Sequence, residues 1–249
     1  MKNILFADGS VGLQICEWLL DNYRDDVGFV FTTAENGVTQ AAQNARIPSA
    51  LFSTEHDLAS AIQQGREKQF DWGLLLWWPY IVRQSTLGLA RRGFINTHPS
   101  LLPFNRGKHY NFWALVEQAP FGVSLHIVDD GVDSGDVIAQ RQIAYDWEDT
   151  GATLYEKAAS SMLELFKSTY PEIREGRIVR VPQDLSKGSF HRANELDEAS
   201  RIDIEASYCA RDLFNLLRAR TFPGYPACSF REDTGEEFEV RIEIRRKKT

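Results

Sequence analysis

WGLLLW, residues Trp72–Trp77, is a nearly continuous apolar run ending just before Pro79. A run this short with no polar position suits a strand covered on both faces, as the central strands of parallel sheets are. Toward the N-terminus, Asn3–Ala7 and Val27–Thr32 read as two further buried strands. The first leads into a Gly9-Ser10-Val11-Gly12 turn and a helix whose apolar face includes Leu13, Cys16, Leu19 and Leu20. Short helices are expected at Gln40–Ala45, closed by Pro48, and at His56–Lys68. Toward the C-terminus, Gly93–Thr97, Phe121–Val128 and Val137–Tyr145 read as strands. Leu154, Ala158, Met162, Leu165 and Phe166 give Thr153–Ser168 helical spacing, with Pro171 and Gly176 marking its end. This alternation predicts an α/β fold with a doubly wound, mostly parallel sheet over residues 1–180.

After Pro182 the chain becomes polar and irregular. A helix is expected at Ser207–Ala219, then a Pro- and Gly-rich turn at Phe222–Pro226. Ser229–Arg231 and Phe238–Ile244, joined through Asp233-Thr234-Gly235, read as a hairpin. Residues 181–249 are therefore expected to form a small C-terminal α+β appendage. With 43% hydrophobic and 25% charged residues the composition is that of a globular protein. No stretch approaches the roughly 18 apolar residues that span a bilayer, and the opening MKNILFADGS has the rhythm of a strand and turn rather than of a signal peptide. A cytoplasmic location with no membrane partner is the expectation. The net charge of -7 argues against a nucleic-acid partner, which would need clustered Lys and Arg. The basic tail Arg245-Arg246-Lys247-Lys248 reads as a solvated end. Cys16, Cys209 and Cys228 have no CxxC spacing, so neither a disulfide framework nor a metal site is expected.

In open α/β sheets ligands bind beyond the carboxyl ends of the strands, so polar residues at strand exits carry weight. Three exits stand out: Asn96-Thr97-His98-Pro99-Ser100, Asp129-Asp130-Gly131-Val132-Asp133, and Trp78-Pro79-Tyr80. Asn96 and His98, two apart on a strand, point to the same side. They place an amide donor and an imidazole in one space, and Asp133, in a Gly-flanked loop, can orient the imidazole or accept a proton. Each residue also has a structural reading: His98 as a core histidine, Asn96 as a turn former, Asp133 as a surface acid. Their combination favours chemistry.

The run FINTHPSLLPFNRG, followed by FGVSLHIVDDGVDSGDVI, resembles the folate-dependent formyltransferases. Their pattern is Asn-x-His-Pro-Ser-Leu-Leu-Pro with a later Asp-x-Gly-x-Asp-(Thr/Ser)-Gly, and no catalytic position departs from it here. The resemblance implies a formyltransferase-like Rossmann variant, with Asn96, His98 and Asp133 as the catalytic trio and 10-formyltetrahydrofolate as co-substrate. Asn96, with a protonated His98, would stabilise the oxyanion of a tetrahedral intermediate. His98 or Asp133 would move the protons, and the residues leave open which acts first. The pterin would lie between the loop Tyr80-Ile81-Val82 and the loop containing Asp129, Asp130, Gly131 and Asp133. Trp78 and Tyr80 are placed for ligand, whereas Trp77 reads as core.

Within the family three amine acceptors compete. Enzymes acting on tRNA carry a larger basic C-terminal barrel, and ribonucleotide enzymes end soon after the catalytic domain. The segment Asn105-Arg106-Gly107-Lys108-His109-Tyr110-Asn111-Phe112-Trp113 and the distal LLRARTFPGYP, residues 216–226, resemble the sugar N-formyltransferases of bacterial surface-polysaccharide synthesis. The expected partner is then a nucleotide-diphosphate amino sugar. Ser100, Asn105 and Gly107 shape its site, Arg106 and Lys108 hold the diphosphate, and Tyr110 or Trp113 offers an aromatic face. Phe112 and Trp113 can equally be a core helix face, and Arg106 a structural ion pair. A homodimer is left open. The rival readings are a non-catalytic binding protein on the same fold and a dinucleotide oxidoreductase, against which the first turn lacks the third glycine of GxGxxG.

Overall fold

A computed structural model describes residues 1–52 and 70–248. The expected helix at His56–Lys68 lies outside the described residues. Seven strands form one sheet in the order β3-β2-β1-β4-β5-β7-β8. They are β1 (Asn3–Ala7), β2 (Val27–Thr32), β3 (Ser49–Leu51), β4 (Trp72–Leu76), β5 (Phe94–His98), β7 (Gly122–Ile127) and β8 (Val137–Gln142). The first five are mutually parallel, and β7 and β8 continue the sheet antiparallel.

The apolar run does what an all-apolar strand should. Trp72, Leu74 and Leu76 enter one buried cluster with Leu5, Ala7, Val30 and Ile95. Leu75 enters a second, on the opposite face, with Ile4, Phe6, Phe31 and Phe94. Side chains alternating across a strand make every position of β1 and β4 a core position, each leucine contributing about 1.5–3 kcal/mol of apolar burial. Helices α1 (Gly9–Tyr23), α2 (Gly37–Asn44), α3 (Gln84–Leu87), α4 (Tyr110–Val116) and α5 (Gly151–Glu175) flank the sheet.

Several boundaries differ from the sequence reading, each for a local reason. Gly9–Gly12 is the first turn of α1 rather than a free turn, because the Asp8 side chain accepts from Gly9 N and caps the helix. Gly12 lies where a Cβ would meet the Leu76 carbonyl at 2.6 Å, so helix and sheet approach closely there. Helix α2 starts earlier than Gln40, capped by the Asn36 side chain on Val38 N. Helix α5 runs through Pro171, since Tyr170 and Ile173 bury completely on the core and sustain the last turns; Gly176, left-handed at φ 71°, ends it. At its other end Thr150 and Thr153 form a reciprocal capping box.

Beyond residue 180 the chain forms β9 (Phe190–His191), α6 (Glu195–Ala199), α7 (Ala210–Ala219) and the antiparallel hairpin β10 (Cys228–Arg231) and β11 (Glu237–Val240). The second hairpin strand stops short of Ile244, and most residues beyond Val240 are exposed. Arg218 pins α7 to the loop that precedes α5. Buried at 5% exposure, its guanidinium donates to the Asp149 carbonyl (2.9 Å), to the Asp146 carbonyl and to Asn215 Oδ1 (2.9 Å), and lies over the Trp147 ring.

Candidate active site

Alternation along β5 puts Asn96 and His98 on the face that carries Phe94, and the register places His126 of β7 directly opposite Asn96. Asp133 joins them from the loop between β7 and β8. The three exits do not all open at one end of the sheet. Because β7 runs antiparallel to β5, it leaves beside Phe94, where Val128 N donates to the Phe94 carbonyl (2.9 Å). Asp133 reaches the β5 pair because its loop folds back. Its own backbone is left-handed at φ 50°, and Asp129 Oδ1 accepts from Gly131 N (3.1 Å) and Ser134 Oγ (2.8 Å). The Gln183 amide donates to the Asp133 and Gly135 carbonyls (2.9 and 2.7 Å).

The Asp133 carboxylate, 13% exposed, accepts from Gly107 N (3.0 Å) and Asn96 Nδ2 (3.3 Å). His98 Nδ1 and His126 Nε2 each lie 3.4 Å from it. Burial alone would raise this carboxyl; the two imidazoles and the Gly107 N–H outweigh burial and hold it well below the usual carboxylate range. His126 Nδ1 donates to the Ile127 carbonyl at 2.8 Å, and its Nε2 lies between Asn96 Nδ2 (3.2 Å) and the Asp133 carboxylate (3.4 Å). The Asn96 amide is thus stretched between His126 and Asp133.

His98 is buried at 4% exposure. That burial lowers its pKa, prevailing over the attraction of Asp133, so the imidazole is neutral at pH 7. With Nδ1–H turned to the carboxylate, Nε2 keeps its lone pair and is buried with no close hydrogen-bond partner, the Asn105 backbone lying near the ring. A base poised this way, beside a fixed amide donor, is equipped for proton transfer at a carbonyl carbon.

A formyl transferase family model matches residues 2–169. The chain belongs to the formyl transferase family. A second model, the N-formyltransferase dimerization C-terminal domain, matches residues 195–246 of this formyltransferase. Its fold is similar to that of a 4-N formyltransferase from Francisella tularensis (TM-score 0.82, 20% identity, 98% of each chain covered). A sugar N-formyltransferase from a Shewanella species is equally similar (TM-score 0.82, 18% identity, 100% of this chain and 99% of that one). The formyltransferase PseJ from Anoxybacillus kamchatkensis, solved with UDP-4,6-dideoxy-4-formamido-L-AltNAc and tetrahydrofolate, matches at 26% identity (TM-score 0.58, 80% and 89% covered).

The two loops expected to flank a pterin are neighbours in this formyltransferase: the Gln84 amide donates to Asp130, and Val82 and Val128 pack on one cluster. Tyr80 and Ile81 are exposed, 54% and 76%, whereas Trp78 is buried edge-on to Phe6 and Tyr80. Among the residues expected to meet the acceptor, Ser100 is buried and its hydroxyl donates to the Phe104 carbonyl, shaping the loop. Asn105 is buried too, its amide on Glu117 and Ser189. Arg106 lies over the Phe190 ring (5.8 Å) with a buried, unpartnered Nε. Lys108 Nζ donates to the Pro79 carbonyl (2.9 Å), Tyr110 meets His98 edge-on (5.9 Å), and one face of Trp113 is covered by His191. Sequence reasoning missed His126 and Gln183. His126 had a signal, being one of two polar residues in an otherwise apolar strand; Gln183 had none. Among the described residues no group of His, Cys, Asp and Glu could hold a metal, and no helix is long and apolar enough to cross a membrane.

Proposed function

We propose that this formyltransferase moves a formyl group from 10-formyltetrahydrofolate to the amine of a nucleotide-linked amino sugar, with residues 1–180 catalytic, residues 181–249 as appendage, and a homodimer as the working form. The observation that carries the reading is the unpartnered Nε2 of a neutral, buried His98 beside Asn96 and an ionised Asp133. The folate supplies an activated formyl carbon. With substrates bound, one Asn96 N–H leaves its contact with His126 or Asp133 for the oxygen that gains charge, and His98 Nε2 takes the proton the attacking nitrogen must lose. Asp133 holds the imidazole in the tautomer that leaves Nε2 free and steadies the imidazolium. His98 then returns the proton to the departing folate nitrogen, leaving a formamide and tetrahydrofolate.

The paired loops at Tyr80–Val82 and Asp129–Gly131 suit a flat ring held by backbone groups, with Tyr80 and Ile81 open beside them. The sugar-nucleotide acceptor is supported by Arg106 and Lys108 on the loop next to Asp133, and by the relative solved with a UDP-linked formamido sugar and tetrahydrofolate. The match to a dimerization domain supports the homodimer. Offering nucleotide-linked amino sugars with 10-formyltetrahydrofolate and reading product masses tests the proposal. A product heavier by one CO unit is expected with one class of sugar nucleotide; no formylated sugar across the panel overturns it.

A further inference from the structure

A short strap from the appendage meets the loop that touches Asp133. Phe190–His191 of β9 lies parallel to β6 (Arg106–Gly107). The N–H groups of residues 105–108 divide between two partners. Asn105 N donates to Ser189 Oγ (3.1 Å), Arg106 N to the Ser189 carbonyl (3.0 Å) and Lys108 N to the His191 carbonyl (3.0 Å). Gly107 N donates to Asp133 Oδ2 instead. Three contacts to the strap therefore aim the fourth N–H at the carboxylate. Gly107 sits at φ 90°, and a Cβ there would collide with the His191 carbonyl, so only glycine fits between strap and carboxylate.

Glu117, just past the end of α4, fastens both partners. Its Oε2 accepts from Asn105 Nδ2 (2.8 Å) and Ser189 Oγ (2.8 Å), and its Oε1 lies 2.6 Å from His191 Nε2. The other His191 nitrogen lies 3.1 Å from Glu195, and the ring is stacked on Trp113 at 3.8 Å and 7°. One carboxylate thus ties loop to strap through three groups, none of which belongs to the trio.

We propose that Glu117 is a positioning residue for formyl transfer: by clasping Ser189 and His191 against the 105–108 loop, it sets the Gly107 N–H on Asp133 and so the carboxylate's orientation toward His98. The inference rests on the formyl-transfer reading of the trio. In the full chain, Glu117→Ala should speed amide hydrogen exchange at Gly107 about tenfold and lower kcat about tenfold, the size of one lost hydrogen bond. The KM for the formyl donor should move less than about twofold, because the loss falls on the reacting geometry rather than on folate binding. Glu117→Gln keeps an acceptor oxygen for Asn105 and Ser189 and should recover most of kcat. A folded Glu117→Ala with Gly107 exchange and kcat both within about twofold of wild type overturns the inference. A fall in kcat with Gly107 exchange unchanged overturns it too, since the effect would not pass through Asp133. If Glu117→Ala does not fold, Ser189→Ala removes one strand of the clasp and gives the same two readings. Failure of the formyl-transfer reading is visible separately, as turnover that survives Asn96→Ala and His98→Ala whatever Gly107 does.

Discussion

The two parts of the candidate active site are built differently. Asn96 and His98 stand on β5, a strand inside a seven-stranded sheet, and inherit their positions from backbone pairing and from cores on both faces. Asp133 stands on a loop with a left-handed backbone, held by Gln183, by Asp129 and, at its carboxylate, by Gly107 and Asn96. A residue on a rigid strand is placed by burial worth many kcal/mol, whereas a loop residue depends on a few hydrogen bonds of about 0.5–1.5 kcal/mol each. Substitutions around β5 should therefore damage chemistry directly. Those around the loops should degrade it in steps.

The largest effect is expected on β5. Asn96→Ala removes the proposed oxyanion donor and should lower kcat about 100- to 1,000-fold with the fold intact. Turnover within about threefold of wild type would show that the strand half of the site is not where charge develops. On the acceptor loop, Arg106→Ala should weaken nucleotide-diphosphate binding about 10- to 150-fold, as loss of a charge-assisted contact does, with folate binding little changed. Calorimetry with free nucleotide diphosphates measures it, and equal affinity for every nucleotide would make Arg106 purely structural. For the Asp133 loop, Gln183→Ala deletes two hydrogen bonds and should cost about 1–3 kcal/mol, read as a lower kcat and faster exchange of the loop amides. An unaltered loop in that variant would mean Asp129 alone sustains the fold-back.

The smallest effect is in pH. Burial holds the folded pKa of His98 below its ordinary 6.5, so the folded protein resists a proton that the unfolded chain accepts. Its share of stability is complete above about pH 6.5 and is lost as pH falls through the lower folded value. Imidazole resonances followed by NMR should show His98 titrating below 6.5, and a midpoint above that would reverse the sign.

These contrasts explain what was legible beforehand. The apolar runs of β1 and β4 could be read because residues buried on both faces leave little that is polar in the strand, Asn3 at the start of β1 apart, and Asn96 with His98 because period-two spacing puts them together. The way Asp133 reaches them could not, since it depends on β7 running antiparallel and on the loop folding back, neither of which has a local pattern. Pro171 misleads as a helix end because burial of Tyr170 and Ile173 outweighs its missing N–H. The strap was unreadable for another reason: Ser189 and His191 are ordinary polar residues whose significance lies in Glu117, more than 70 positions away.

A neutral His98, set by Asp133, is the proposed base of formyl transfer to an amino sugar. Single-turnover transfer of an isotopically labelled formyl group from 10-formyltetrahydrofolate to the amino sugar, in wild type and in His98→Ala, tests it most directly. Label in the sugar amide is expected with wild type, and transfer at least about 100-fold slower in a variant that still binds both substrates. Equal rates in the two proteins, or label reaching no sugar amine in either, would contradict it.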